Sequence, residues 1–295
     1  VDTWDVIKVS DGFSSDTSKV LLVYGYNDND ASIENDRTRA KSLSCHTSSC
    51  FGLWNREHVF PKSLASPNLV TNFPSAGTDV HNLRACDYST NASRSNKKYD
   101  AGNGNSSSNN QGNWYPGDEW KGDVARIIMY MYLRYPNQCE PTNVGVGTQL
   151  FSPNGDMPDV FLNWNFSDPV SQFEETRNNS IANVQGNRNP FIDNPYLATL
   201  IWNGPAAEDK WASANSTKDY ESENFEVKIN LLNNEIIIEN LELTTFLSLE
   251  LINMKGQIVE FTRNNILRPP DLACEIYILK INTKHGSYLR KISLN

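Results

Sequence analysis

The stretch Trp54-Asn55-Arg56-Glu57-His58-Val59-Phe60-Pro61 sets a carboxylate beside an imidazole, between an aromatic residue and a proline. A solitary histidine is most often structural. His58 differs in having a carboxylate, Glu57, as its direct neighbour. In a regular β-strand adjacent side chains point to opposite faces. Glu57 and His58 can therefore serve one site only where the backbone bends or the strand ends.

Working outward, Asp79-Val80-His81-Asn82-Leu83 follows, and Asn91 lies twelve residues after Asp79. Residues 87–97 read as a helix with Tyr88, Asn91, Ala92 and Ser95 on one face. Asn91 would then project an amide oxygen, a ligand type suited to Mg²⁺. Asn91-Ala92-Ser93 also reads as a glycosylation sequon, or Asn91 as a helix cap, and spacing alone leaves these readings open. His81 reads as structural. Residues 121–135 form the clearest helix, with Val124, Ile127, Ile128, Met131 and Tyr135 as one buried stripe, carboxylates at its start and Pro136 at its end. Residues 18–24 read as a strand or helix end, and residues 103–113 as a flexible polar loop.

The composition changes near residue 205. Residues 204–224 are polar and read as a linker. Runs at 225–232, 235–241, 245–253, 257–262, 275–282 and 287–294 then read as short strands, with turn signals at Asn233-Asn234, Lys255-Gly256 and His285-Gly286. The expected division is a first domain over 1–205, a linker over 206–224 and a small all-β sandwich over 225–295.

The chain has 295 residues, 21% of them charged, and a formal net charge of −9. That balance argues against general affinity for nucleic acid, which rests on Lys and Arg, but leaves room for a local basic cleft. No apolar run is long enough to cross a bilayer, so membrane insertion is not expected. The chain begins at Val1, which reads as a processed or trimmed start. Of five cysteines, Cys45 and Cys50 can close a short loop, Cys86 can pair with Cys139, and Cys274 is left over. The alternative for the first two is a zinc site with His46. Disulfides fit an exported protein.

Taken together and in order, residues 57–61, 79–83, 91–96, 121–126 with Tyr130-Met131, and 177–193 resemble the endonuclease I family, bacterial periplasmic and extracellular nucleases of the His-Me finger type. The resemblance runs over about residues 20–202. It implies an α+β fold with a ββα-metal core, a β-hairpin plus helix among further helices. It implies His58 as general base and Glu57 and Asn91 as the protein ligands of one Mg²⁺, with Mn²⁺ or Ca²⁺ as substitutes. It also implies a secreted enzyme that cuts DNA, and RNA as a second substrate, through backbone contacts to leave 5′-phosphates. An arginine should hold the scissile phosphate. Some relatives carry it between the base and the Asp-x-His-Asn segment, but residues 62–77 contain no arginine. Arg84, Arg94, Arg126 and Arg188 are the candidates, with Arg84 and Arg126 assigned to substrate binding. Relatives also carry a longer helical lead-in than residues 1–20. The C-terminal run, with Asn234 to Asn240, Met254 to Val259, Ile276 to Ile281 and the ending Arg290 to Asn295, resembles the sorting domain of the type IX secretion system, which implies the export machinery as a partner. The rival functions are a phosphodiesterase for another substrate and a non-catalytic surface or adhesion protein.

Overall fold

The computed structural model describes residues 2–47 and 49–212, and beyond them 226–230, 233, 235–239, 246–253, 257–269, 276–284 and 286–293. The chain divides into two compact units, Val1–Lys210 and Trp211–Asn295.

The first unit opens with helix α1 (Thr3–Ser10). The Asp2 carboxylate accepts from the amides of Trp4 and Asp5 at 2.8 and 3.0 Å, satisfying donors that a helix start leaves unpaired. Strands β1 (Gly12–Phe13), β2 (Asp16–Leu21) and β3 (Thr38–Ala40) make a three-stranded antiparallel sheet, so the segment at 18–24 is a strand that gives way to buried irregular chain after Leu21. Strands β4 (Trp54–His58) and β5 (Leu83–Asp87) then pair antiparallel, Glu57 opposite Arg84 and His58 opposite Leu83. Helix α2 (Tyr88–Arg94) follows at once. Asp87 caps it by accepting from Thr90 N at 2.9 Å, and Ser95, at φ +52°, ends it before the expected residue 97.

In the segment read as a flexible loop, strand β6 (Ser107–Ser108) pairs with β7 (Trp114–Tyr115), which directly follows that segment, to form a small hairpin. Its turn is built by Asn109, whose side-chain oxygen accepts from the amides of Gln111 and Asn113 at 3.1 and 2.9 Å. Five helices complete the unit: α3 (Lys121–Arg134), α4 (Asp159–Ser167), α5 (Gln172–Gln185), α6 (Pro190–Asp193) and α7 (Tyr196–Trp202). Helix α3 forms where the apolar periodicity predicts it, but every residue from Gly122 to Met131 is buried. A single apolar stripe describes a surface helix, whereas α3 lies in the middle of the unit with α4 and α6 packed on it. The residues at 204–210, read as the start of a linker, dock on the first unit instead. Tyr196 N donates to Glu208 O at 3.1 Å, Asn194 Nδ2 to Asp209 Oδ1 at 2.8 Å, and Lys210 N to Asn194 Oδ1 at 3.1 Å.

The second unit is a set of small antiparallel sheets. Strands β8 (Glu226–Asn230), β9 (Glu235–Glu239), β10 (Phe246–Asn253), β11 (Ile258–Thr262), β12 (Ile266–Leu267), β13 (Ile276–Thr283) and β14 (Gly286–Ser293) form one sheet in the order β11-β10-β13-β14 and another in the order β12-β9-β8. Alternate residues Ile236 and Ile238, Leu249 and Leu251, and Leu279 and Ile281 bury one cluster, the period of two expected of half-buried strands. Six of the strands lie where the apolar runs predict them. Strand β12 has two residues, too few to carry a pattern. The expected turns at Asn234, Lys255-Gly256 and His285, the leftover Cys274 and the linker from 213 to 224 lie outside the described residues.

A buried ion network ties the first unit together. Asp11, directly after α1, accepts from Arg84 Nε at 3.1 Å, from Arg177 Nε at 2.8 Å and from Ala85 N at 2.8 Å. Arg177 of α5 also donates to the carbonyls of Val80 and Leu83 at 2.8 and 2.6 Å. Burial alone would raise the Asp11 pKa, but the two guanidiniums and the Ala85 amide outweigh it and the carboxyl is held below its usual range. We expect Asp11→Asn to destabilise the first unit by about 3–5 kcal/mol, because two buried guanidiniums lose their shared counter-charge. Thermal unfolding of the full chain should show this as a fall of about 10 °C in its midpoint. A loss below about 1 kcal/mol would mean that hydrogen bonds, which Asn partly keeps, hold the network rather than charge.

Candidate active site

Strand β4 delivers Glu57 and His58 together because His58 is its last residue. The chain leaves the strand under the control of Asn82. Val59 N donates to Asn82 O at 3.0 Å, and the Asn82 side chain accepts from Phe60 N at 2.7 Å and donates to Phe60 O at 3.2 Å. Pro61 follows. The strand-end condition set by side-chain alternation is therefore met, and both residues line one cleft of about 530 Å³. Its other lining residues include Trp4, Asn55, Arg56, Lys62, Asn91 and Arg94.

His58 Nε2 lies 2.9 Å from the carbonyl oxygen of Gly77. A carbonyl only accepts, so Nε2 carries the proton and Nδ1 is left with its lone pair. Burial lowers the His58 pKa to about 4; the Gly77 carbonyl opposes that shift, while the positive charges of Lys62, Arg56 and Arg94 add to it. The ring is neutral at pH 7, as a base must be before it accepts a proton.

Glu57 is 3% exposed, and its pKa is raised to about 7 by burial, against the pull of Arg94, the Tyr24 hydroxyl and the His58 amide. Tyr24 Oη stands 3.0 Å from Glu57 Oε1 and 2.8 Å from Tyr99 Oη, and Tyr99 donates to Val59 O at 2.9 Å. Two hydroxyl protons serve three contacts, so a proton on Glu57 would complete the chain, in keeping with the raised pKa. Arg94 Nε lies 3.4 Å from Glu57 Oε1, while Nη2 donates to Val59 O at 3.0 Å and the guanidinium stacks 4.7 Å over Tyr99. Tyr24 sits at φ +73°, a left-handed conformation that a bulky side chain adopts only when its surroundings hold it there.

Asn91, on α2, donates from Nδ2 to Asn55 Oδ1 at 2.7 Å and to Arg56 O at 3.4 Å. Its nitrogen is thus engaged with β4, and its oxygen has no hydrogen bond among the described residues. A buried carboxylate whose charge burial disfavours, plus one amide oxygen, fits a hard divalent cation. Mg²⁺ suits two protein oxygens because it keeps several waters. No group of three His, Cys, Asp or Glu that could hold a metal occurs among the described residues, so the rest of the shell would come from water and substrate.

Arg84 and Arg126 do not reach the cleft, which corrects their assignment to substrate binding. Both are fully buried. Arg84 is paired with Asp11 and, at 2.9 Å, with Asp123; Arg126 is paired with Glu174 at 2.7 Å. Position within a motif cannot tell a phosphate-binding arginine from one neutralised in the core. Arg188 pairs with Asp193 away from the cleft, and Arg94 lies in its wall beside Glu57. His81 is buried and packs on Tyr130, its Nε2 3.1 Å from Asn187 O. Cys45 and Cys50 are joined in a disulfide, so they offer no thiolates to zinc. Cys86 and Cys139 are both buried free thiols, against the expected pairing. Sequence reasoning missed Tyr24 and Tyr99, which lie 33 and 42 residues from Glu57 and carry no local signal, and Arg56, which stands directly before Glu57.

The Endonuclease I family model matches residues 1–196. The extracellular ribonuclease of Bacillus amyloliquefaciens is 36% identical over 214 residues, covering 68% of this chain and 66% of its own length. That of Bacillus subtilis (strain 168) is 34% identical over 213 residues, covering 68% of this chain and 67% of its own length. The chain thus spans about two thirds of the length of these relatives. Over most of its first unit, the chain belongs to the Endonuclease I family.

Proposed function

We propose that the protein is a secreted, metal-dependent endonuclease that hydrolyses backbone phosphodiester bonds of DNA and RNA, with His58 as general base and Glu57 and Asn91 as the ligands of one Mg²⁺. The β4–β5 hairpin and α2 are its His-Me finger core. The observation that carries the reading is the contact of His58 Nε2 with Gly77 O at 2.9 Å, which fixes the tautomer and keeps Nδ1 as a proton acceptor on a residue lining the cleft. When bound, Mg²⁺ would supply charge stabilisation at the phosphate and the departing oxygen. Nδ1 takes a proton from the attacking water, and the Gly77 carbonyl steadies the imidazolium that results. Water as nucleophile makes the 2′-hydroxyl dispensable, so both nucleic acids are substrates and the ends are 5′-phosphate and 3′-hydroxyl. The cleft carries Arg56, Lys62 and Arg94 against the single carboxylate of Glu57, a local positive field in a chain of net charge −9. Backbone contact fits the absence of any base-reading motif in the sequence. Export fits the two bacillar relatives, both named extracellular. The second unit, a β-sandwich in this reading, serves the type IX export route that its sequence resembles.

Plasmid DNA and a single-stranded RNA incubated with Mg²⁺, with and without EDTA, test the activity; both substrates surviving in Mg²⁺ would exclude it. His58→Ala should lower the cleavage rate by about 10²–10⁴-fold. Retention of a tenth of the rate would place the base elsewhere. Because the base must be neutral, activity at saturating Mg²⁺ should be lost only as pH falls through about 4, the value to which burial lowers His58, and not near 6.5. A rate profile halved at pH 6.5 would contradict this. Asn91→Ala should move the Mg²⁺ titration of activity to higher concentration, and an unchanged titration would remove Asn91 from the site.

A further inference from the structure

Among the arginines of the first unit, Arg56 is set apart. The buried Arg39, Arg84, Arg94, Arg126 and Arg177 each lie within ion-pair distance of a carboxylate. Arg56 lines the cleft and has no such partner among the described residues. The Asp2 carboxylate acts on Arg56 through charge alone, its Oδ1 being engaged in capping α1. The guanidinium is nevertheless held in place. Its Cζ lies 4.5 Å from the centroid of Trp4, and Nη1 donates to Thr3 Oγ1, so the first turn of α1 fixes both its plane and one edge. Trp4 is itself wedged between His46 and Trp54, with ring centroids 4.3 and 5.5 Å away. The described hydrogen bonds use Nη1 alone, which leaves Nε and Nη2, the two parallel N–H groups that match a phosphate's oxygens. Arg56 also stands two residues before His58 on β4, and both side chains line the same cleft.

We propose that Arg56, held flat on Trp4, grips a backbone phosphate of the nucleic-acid strand in the His58 cleft, filling the role that Arg84 and Arg126 do not. The proposal rests on the nuclease reading above. Lys62, also in the cleft, offers a mobile point charge rather than a fixed fork.

The test measures binding of a labelled single-stranded oligonucleotide to the full chain in a His58→Ala background with Mg²⁺, over a series of salt concentrations. Adding Arg56→Gln, which keeps a stem over Trp4, should weaken binding about tenfold, since a charge-assisted hydrogen-bonded contact is lost. It should also reduce the slope of log affinity against log salt by about 0.7, the contribution of one neutralised phosphate on a single strand. Arg56→Lys should keep that slope while binding more weakly than the parent. Trp4→Ala should weaken binding in the parent but add nothing to Arg56→Gln, because it acts through the arginine. An unchanged slope in Arg56→Gln, with an unchanged melting profile, would overturn the proposal. Additive effects of Trp4→Ala would overturn the stacked clamp. Plasmid and RNA cleavage by the unaltered chain is read in parallel, so failure of the nuclease reading is distinguished from failure of the clamp.

Discussion

The carboxylate of Asp11 is the point on which the catalytic unit depends. It joins the end of α1 to Arg84 and the Ala85 amide on β5 and to Arg177 on α5. Buried charges are tolerated only when compensated, and here one carboxylate faces two guanidiniums, with Asp123 as a second counter-charge for Arg84. Arg177 extends the same lock to the carbonyls of Val80 and Leu83, the residues that lead into β5. The hairpin that presents Glu57 and His58 is therefore braced from behind by electrostatics as well as by its own ladder.

In front of that brace, the cleft is built by side chains that act on other side chains. Asn82 fixes the exit from β4 and with it the position of His58 at the strand end. The Tyr24 hydroxyl and the Arg94 guanidinium stand beside Glu57, and Tyr99 backs Tyr24. An isolated buried carboxylate would simply stay protonated; one surrounded in this way remains able to exchange its proton for a cation. Asn91 is oriented by spending its nitrogen on Asn55 and the Arg56 carbonyl. None of these partners needs to touch a substrate to matter.

Charge is distributed with the same economy. The chain as a whole is acidic, yet its cleft gathers three cationic side chains around one carboxylate. Arginines elsewhere in the core are neutralised in place, so their number says nothing about affinity for phosphate. What distinguishes Arg56 is the lack of a carboxylate within ion-pair distance among the described residues, together with the aromatic ring that holds it.

Much of this was legible in the sequence by itself. Apolar period determined α3 and six of the seven C-terminal strands, because burial of one face imposes the spacing directly on the chain. The Glu57-His58 pair and the Asn91 helix were visible for a similar reason, since each lies within a short local element. The segments at 103–113 and 204–210 differ from their reading as loop and linker because polar composition does not reveal which amides and side chains find hydrogen-bond partners. Only the tertiary structure decided which arginines line the cleft and which tyrosines stand behind Glu57. It also decided that Cys86 and Cys139 stay apart. The physical reason is common to all three: each outcome depends on which residues from elsewhere in the chain come to lie beside the group, as Asp11, 73 residues away, does for Arg84.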